Sequence, residues 1–127
     1  MFQRRPADAT RPVLDTGHLA RLESHLGAPV LAELLADGLI ELTDRLRRLA
    51  ELERAGDLDG LARLGHDLVG MAGNLGLARL SATAGAMHRA ACAGRGPEAL
   101  AEAGGARRLG FEAADALRRH LAALRRA

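Results

Sequence analysis

The chain has 127 residues, 48% of them hydrophobic and 2% aromatic, and its 18 basic residues, all arginine, outweigh 16 acidic residues to give a formal net charge of +2. This length fits one domain of ordinary size, and charge of both signs spread along the chain argues against nucleic-acid binding, which needs clustered positive charge. Because the aromatic and β-branched residues that favour strands are few, the composition predicts an all-α protein.

The sequence also argues against several kinds of site. A single cysteine, Cys92, excludes an intramolecular disulfide and a cysteine-rich metal site. None of the five histidines lies four residues from another, so a helical zinc pair is absent. No apolar run approaches the ~18 residues of a membrane span, and the first residues lack the apolar core of a signal peptide. We therefore expect a cytoplasmic protein with no metal site and no membrane partner.

Helix signals begin after an N-terminal tail. Residues 1–12 contain prolines and arginines without periodicity and are predicted to form a flexible tail, while residues 13–127 are predicted to form one helical bundle domain. Leucines at helical spacing predict a short first helix that is capped by Asp15 or Thr16 and ended by Gly27.

A longer second helix follows. Pro29 suits a first-turn position, and leucines keep a helical period from there to about Ala55. Gly38 is an internal weak point of this helix, and Gly56 supplies its stop signal.

The third predicted helix contains His66. Asp57 or Asp59 is expected to cap it, and it ends near Leu75. A fourth helix is predicted over about residues 78–93.

The last helical region is predicted from Pro97 to about Arg125. Gly104, Gly105 and Gly110 are candidate positions for a bend or a break near its start. Five helical segments with short connections, four of them long enough to pack, predict an antiparallel four-helix bundle with a short additional N-terminal helix.

The third helix places His66 on its outer face. At about 100° per residue, the side opposite His66 carries Leu61, Leu64, Leu68, Met71 and Leu75. On the same side as His66 lie Arg63, Val69, Gly70 and Gly73. Because glycine costs roughly 1 kcal/mol in a helix interior relative to alanine, two glycines beside an exposed imidazole indicate a surface to which another molecule comes close.

The other histidines carry weaker signals. His18, His25 and His120 are typical of surface or half-buried helix residues. His88 lies on the fourth predicted helix and is a candidate neighbour of the His66 surface, with a polar residue of the bundle face as the alternative. It also lies four residues before Cys92, a spacing that would pair an imidazole with a thiol as in nucleophilic enzymes. No third orienting group is visible in the sequence, so helix packing is the favoured interpretation of this pair.

Residues 66–70, with the sequence HDLVG, resemble the central motif of the histidine phosphotransfer (HPt) domain. The family pattern is His-x-Leu-Lys-Gly, then Leu-Gly-Ala and a Leu-Ser a few residues on, and this chain has NLGL at 74–77 and LS at 80–81. The segments before the histidine are also similar, so that the resemblance covers about residues 12–125.

The resemblance implies a four-helix bundle with a short extra helix at its N-terminus. It implies that His66 is reversibly phosphorylated and exchanges its phosphoryl group with an aspartate of a response-regulator receiver domain. Gly70 is then the residue that lets the receiver come close, and a hybrid histidine kinase is a further partner. The chain would need no cofactor of its own: it would be a phosphocarrier, not an enzyme, with magnesium and the catalytic groups on the receiver.

One position departs from the family pattern. Val69 stands where the family usually has a lysine that helps to hold the phosphoryl oxygens. Arg63 on the same helix face is a candidate replacement, as are Arg79 and Arg89 nearby in the chain, because the planar guanidinium binds phosphate oxygens well. The predicted partner-binding surface is therefore Arg63, Val69, Gly70 and Gly73.

Two other functions stay open from the sequence. The chain could be an HPt-like binding module that docks a receiver or a histidine kinase without phosphotransfer, a hypothesis that the missing lysine supports. It could also be a purely structural helical bundle, since leucine-rich helices fit that role equally well.

Overall fold

The computed structural model of the protein describes residues 10–126. Between Thr16 and Arg126 the chain forms five helices, namely α1 (Thr16–Leu26), α2 (Ala28–Ala55), α3 (Leu58–Asn74), α4 (Ala78–Cys92) and α5 (Gly96–Arg126). No strand occurs within residues 10–126, which confirms the all-α prediction. None of the helices in this part of the chain is long and apolar enough to cross a membrane.

Helices α2 to α5 form an antiparallel four-helix bundle. Each of them packs against the next along the chain, α5 closes the bundle against α2, and α1 lies against α2. The predicted bundle with a short additional N-terminal helix is therefore confirmed.

Short polar residues set the helix starts as predicted. Asp15 caps α1 and Asp57 caps α3, the first of the two candidates in each case, and each side chain accepts a hydrogen bond from the backbone N–H three residues on, at 3.1 and 2.9 Å. Such caps stabilise a helix by about 1 kcal/mol. Gly27 and Gly56 follow the last residues of α1 and α2, as the stop signals predict.

Leucine fills the centre of the bundle. Burial of one leucine side chain contributes about 1.5–3 kcal/mol, and every helix supplies at least one that is almost completely buried. Examples are Leu19, Leu31, Leu35, Leu42, Leu49, Leu61, Leu68, Leu80 and Leu117.

The glycines of α5 do not break this helix, so a break at these positions is wrong. Residues 96–126 form one continuous helix, and Gly104, Gly105 and Gly110 are buried. A Cβ on Gly110 would overlap the side chain of Leu46 in α2. Glycine thus serves close packing between α2 and α5, and tertiary contact overrides its low helix propensity.

Residues 1–9 of the predicted tail lie outside the described residues. The carbonyls of Arg11 and Pro12 accept hydrogen bonds from the Nε and the backbone N–H of Arg79, at 2.7 and 3.0 Å. The backbone N–H of Asp15 donates to the carbonyl of Gly76 at 2.7 Å. The chain before α1 is thereby attached to the α3–α4 connection, beside the open face of α3.

Candidate functional site

His66 is exposed on α3, between two grooves. One groove runs between α3 and α4, and residues of α4 and of the α1 region line it: Arg11, His18, Ser81, Gly85, His88 and Arg89. The other runs between α2 and α3 and includes Leu34, Glu41, Arg45 and Asp67. Leu64 and Leu68 are buried on the opposite side of α3, so His66 has the outward orientation that helical spacing predicts.

The backbone of α3 is open on the C-terminal side of His66. A Cβ on Gly70 would meet no atom within 4 Å, and one on Gly73 would meet only the Oγ of Ser81, at 3.8 Å. Neither glycine is required for packing within the chain. The structure thus places both predicted glycines beside His66 on a surface that another molecule can approach closely.

Gly65 has a different role, which the sequence did not suggest. A Cβ on Gly65 would lie 3.0 Å from the carbonyl oxygen of Ala84 and 3.0 Å from the Cβ of His88. This glycine brings the backbones of α3 and α4 together at the level of His66. The sequence signal for this role was the position of Gly65, which directly precedes His66 and lies on the inner side of α3.

The close approach of α4 brings a second imidazole next to His66. The ring centroids of His66 and His88 are 5.6 Å apart, with ring planes tilted by 48°. His88 is half-buried, and its Nδ1 lies 2.8 Å from the carbonyl oxygen of Ala62, to which it donates a hydrogen bond. His88 is therefore part of the site, which sequence reasoning left as one possibility among packing roles.

Cys92 also contacts His88. Its exposed Sγ is 3.7 Å from Nε2 of His88 and 3.8 Å from Nδ1. Residues 10–126 contain no group of three or more histidine, cysteine, aspartate or glutamate side chains that could hold a metal ion.

Arg89 lies in the same groove as His66. Its Nη1 is 3.3 Å from the point that a Cβ on Gly85 would occupy, and the Cγ2 of Val69 is 3.7 Å from that same point. The guanidinium therefore extends along α4 over Gly85 and next to Val69, so it places a cation beside the position where the sequence lacks one.

The other two candidate arginines lie elsewhere. Arg63 lines a separate hollow between α2 and α3, together with Asp44 and Arg48. Arg79 donates its Nε hydrogen to the carbonyl of Arg11 and so helps to attach the chain before α1. Neither lines the groove between α3 and α4 at His66.

An ion pair supports α3 on its other side. The Nε of Arg45 in α2 donates to the carboxylate of Asp67 at 2.8 Å. This hydrogen bond, more than the accompanying charge attraction, raises the pKa of Arg45. Because Asp67 follows His66 directly, the pair fixes α2 against α3 at the level of the imidazole and offsets a negative charge there.

Comparison with known proteins gives two findings. The Hpt domain family model matches residues 33–127. The fold is similar to the crystal structure of histidine-containing phosphotransfer protein B (HptB) from Pseudomonas aeruginosa PAO1, with a TM-score of 0.79 and 24% sequence identity, over 87% of this chain and 95% of that chain. No curated protein sequence matches. Since the family model covers more than half of the chain, the protein belongs to the Hpt domain family, the histidine phosphotransfer domains of two-component phosphorelays.

Proposed function

We propose that His66 is the residue that carries the phosphoryl group, to or from the aspartate of a response-regulator receiver domain. The observation that carries this proposal is the exposed imidazole beside the open backbone of Gly70, on the face of α3 opposite the buried leucines. The chain acts as a carrier, and the receiver supplies the catalytic groups.

The transfer is one displacement at phosphorus. The ring nitrogen of His66 that bears no proton attacks the phosphorus of the receiver's aspartyl phosphate and forms an N–P bond, while the bond from phosphorus to the carboxylate oxygen breaks and the carboxylate leaves with the electron pair. In the reverse direction the carboxylate attacks and the imidazole leaves. Catalysis of such transfers consists mostly of positioning and charge neutralisation, and a magnesium ion held by the receiver would supply part of that neutralisation.

Arg89 supplies the cation of this chain for the phosphoryl group. It lines the groove of His66 and lies next to Val69, where the family pattern has lysine. A guanidinium can give two parallel N–H donors to phosphate oxygens and keeps its charge at all working pH values. The absence of lysine at Val69 is thus compensated from α4.

The surface around His66 fits a receiver domain. Val69 is 37% exposed on one side of His66, and Leu34 of α2 is 41% exposed at the groove on its other side. Charged groups of both signs surround these apolar residues, including Arg89, Glu41 and Asp67. An apolar centre with a polar rim is the usual composition of a protein–protein interface.

The test is incubation of the protein with a receiver domain labelled at its aspartyl phosphate. Wild type should gain the label, His66→Ala should not, and His25→Ala, altered at an exposed position of α1, should behave like wild type. A protein that binds the receiver but gains no label would be a binding module. A protein that does neither would support a purely structural bundle.

A further inference from the structure

We propose that His88 takes up a proton when His66 is phosphorylated, so that the phosphoryl load of this protein is coupled to pH. The inference rests on the proposed role of His66 and gives His88 a part in the same phosphotransfer. His88 faces His66 across the α3–α4 contact, with 5.6 Å between the ring centroids.

The hydrogen bond to Ala62 prepares His88 for a second proton. Its Nδ1–H donates to the carbonyl oxygen of Ala62 at 2.8 Å, so the neutral ring keeps its proton on Nδ1 and leaves Nε2 as a proton acceptor. A proton at Nε2 converts the ring to an imidazolium without breaking that bond. Protonation therefore requires no rearrangement of α3 against α4.

A phosphoryl group on His66 would change the charge of the groove. Without it, the charged side chains that line the groove are the cations Arg11 and Arg89 and the carboxylate Asp15. A phosphoryl group brings about −1.5 to −2 charges, and an opposite charge within about 4–6 Å favours the charged form of a titratable group. The new charge would be attached to the ring that faces His88.

Other groups line the groove or contact His88. From α1, His18 lines the same groove, and from α4, Cys92 contacts the His88 ring through its exposed thiol. Among the described residues, no side chain of α5 lines the groove. Arg89 keeps a constant charge and so provides no pH-dependent response. We assign that response to His88 because its ring faces the ring of His66, with 5.6 Å between the centroids.

The proton balance fixes the direction of the effect. Transfer to His66 is accompanied by uptake of one proton from solvent at Nε2 of His88, and return of the phosphoryl group releases that proton. By linkage, the equilibrium for loading shifts toward phosphorylated His66 by up to about tenfold for each unit of falling pH, in the window where His88 is protonated only in the phosphorylated protein.

The experiment loads His66 with phosphoramidate, a small donor that needs no receiver docking. NMR then follows the ring signals of His88 from about pH 5 to about pH 9, around the usual titration range of imidazole. We expect His88 to titrate about one pH unit or more higher in the phosphorylated protein than in the unphosphorylated protein. An identical titration in both states would overturn the inference.

His88→Asn separates charge from structure. The amide nitrogen of asparagine takes the place of Nδ1 and can donate to the carbonyl of Ala62, but the amide cannot take up a proton. The variant should therefore keep the fold and lose the extra pH dependence of the loading equilibrium with a receiver. His25→Asn and Cys92→Ser should retain that dependence. A His88→Asn profile that matches wild type would contradict the coupling.

The two proposals fail in different ways. If neither phosphoramidate nor a phosphorylated receiver labels His66, the carrier role is wrong and the inference falls with it. If His66 is labelled while His88 titrates unchanged, the carrier role stands and only the proton coupling is wrong.

Discussion

The imidazole of His66 shares its groove with one cation of constant charge and one titratable ring, both from α4. Arg89 extends toward Val69, and His88 faces the ring of His66 across the helix contact. Because arginine stays charged and its planar guanidinium binds phosphate oxygens through two donors, it suits the holding of phosphoryl oxygens. His88 suits the adjustment of charge with pH.

Removal of the constant charge should weaken the phosphorylated state. We expect Arg89→Gln to shorten the lifetime of the phosphohistidine and to slow transfer by about tenfold, since a hydrogen bond to a charged group contributes about 1.5–3 kcal/mol. Arg63→Gln should change both rates far less, because Arg63 lines a different hollow. Decay of the label on the phosphorylated protein measures the lifetime. An effect of Arg63→Gln larger than that of Arg89→Gln would assign the cation to α3 instead of α4.

A bulky residue at Gly70 should block the receiver but not a small donor. The side chain of Gly70→Gln would project into open space, so the fold should be kept and helix propensity should add about 1 kcal/mol of stability. Labelling by phosphoramidate should then persist while labelling by a phosphorylated receiver falls at least about tenfold. Gly70→Ala is the matched control with a smaller loss, and receiver labelling of Gly70→Gln at the wild-type rate would refute the close approach.

Angular spacing was enough to predict that His66 is exposed beside Gly70 and Gly73, because these residues share one helix. It was not enough for the cation, since three arginines remained candidates until the register of α4 against α3 was known. For the same reason the sequence left the contact of His88 with His66 undecided and did not reveal the role of Gly65. Side-chain contacts between helices depend on small shifts of one helix along another, and a single sequence does not specify these shifts.

At the scale of helices, glycine lets paired helices approach closely. Gly65 faces the backbone of α4, Gly110 faces Leu46 of α2, and Gly38 faces Leu75, whose Cδ1 would lie 2.9 Å from an added Cβ. Helix ends were predicted well where a local residue marks them: Asp15 and Asp57 cap the starts of α1 and α3, and Gly27 and Gly56 follow the ends of α1 and α2. The predicted break in α5 was wrong because it considered only the low helix propensity of glycine. The buried contact of Gly110 with α2 favours a continuous helix instead.

Two alanine substitutions on α5 should have opposite effects. Gly110→Ala would overlap the buried Leu46, and overpacking of about 1–3 kcal/mol should exceed the gain in helix propensity of about 1 kcal/mol. A Cβ on Gly104 would make ordinary contacts, at 3.5 Å from Oε2 of Glu53 and 3.6 Å from Nη1 of Arg108. Urea unfolding should therefore show Gly110→Ala as less stable than wild type and Gly104→Ala as more stable, and equal shifts would mean that the α2–α5 contact does not depend on Gly110.

At the scale of the whole molecule, α1 ties the N-terminal part of the described chain to the site. The matched family region begins at residue 33 and leaves α1 outside. Nevertheless, the N–H of Asp15 donates to the carbonyl of Gly76, and Nε2 of His18 donates to the carbonyl of Asn74 at 3.0 Å. These bonds satisfy carbonyls at the C-terminal end of α3, which has few partners within its own helix, and they place His18 in the groove of His66.

Gly76 is the residue on which this attachment depends. Its φ is +76°, a conformation that costs an L-residue about 1–2 kcal/mol, and an added Cβ would lie 3.2 Å from Cδ2 of His18 and 3.3 Å from the carbonyl oxygen of Asp15. Gly94 has a similar φ of +72° but would meet no atom within 4 Å. Comparison of these two glycines separates backbone strain from loss of the α1 contact.

We expect Gly76→Ala to lower the free energy of unfolding by about 2–3 kcal/mol and Gly94→Ala by about 1 kcal/mol, since both carry the strain of positive φ and only the first also crowds α1. Hydrogen exchange should show faster amide exchange across α1 in Gly76→Ala and no such change in Gly94→Ala. If both variants lost the same stability and left α1 equally protected, the α1 region would be held to the bundle by its buried Leu19 rather than by its contacts with the α3–α4 connection.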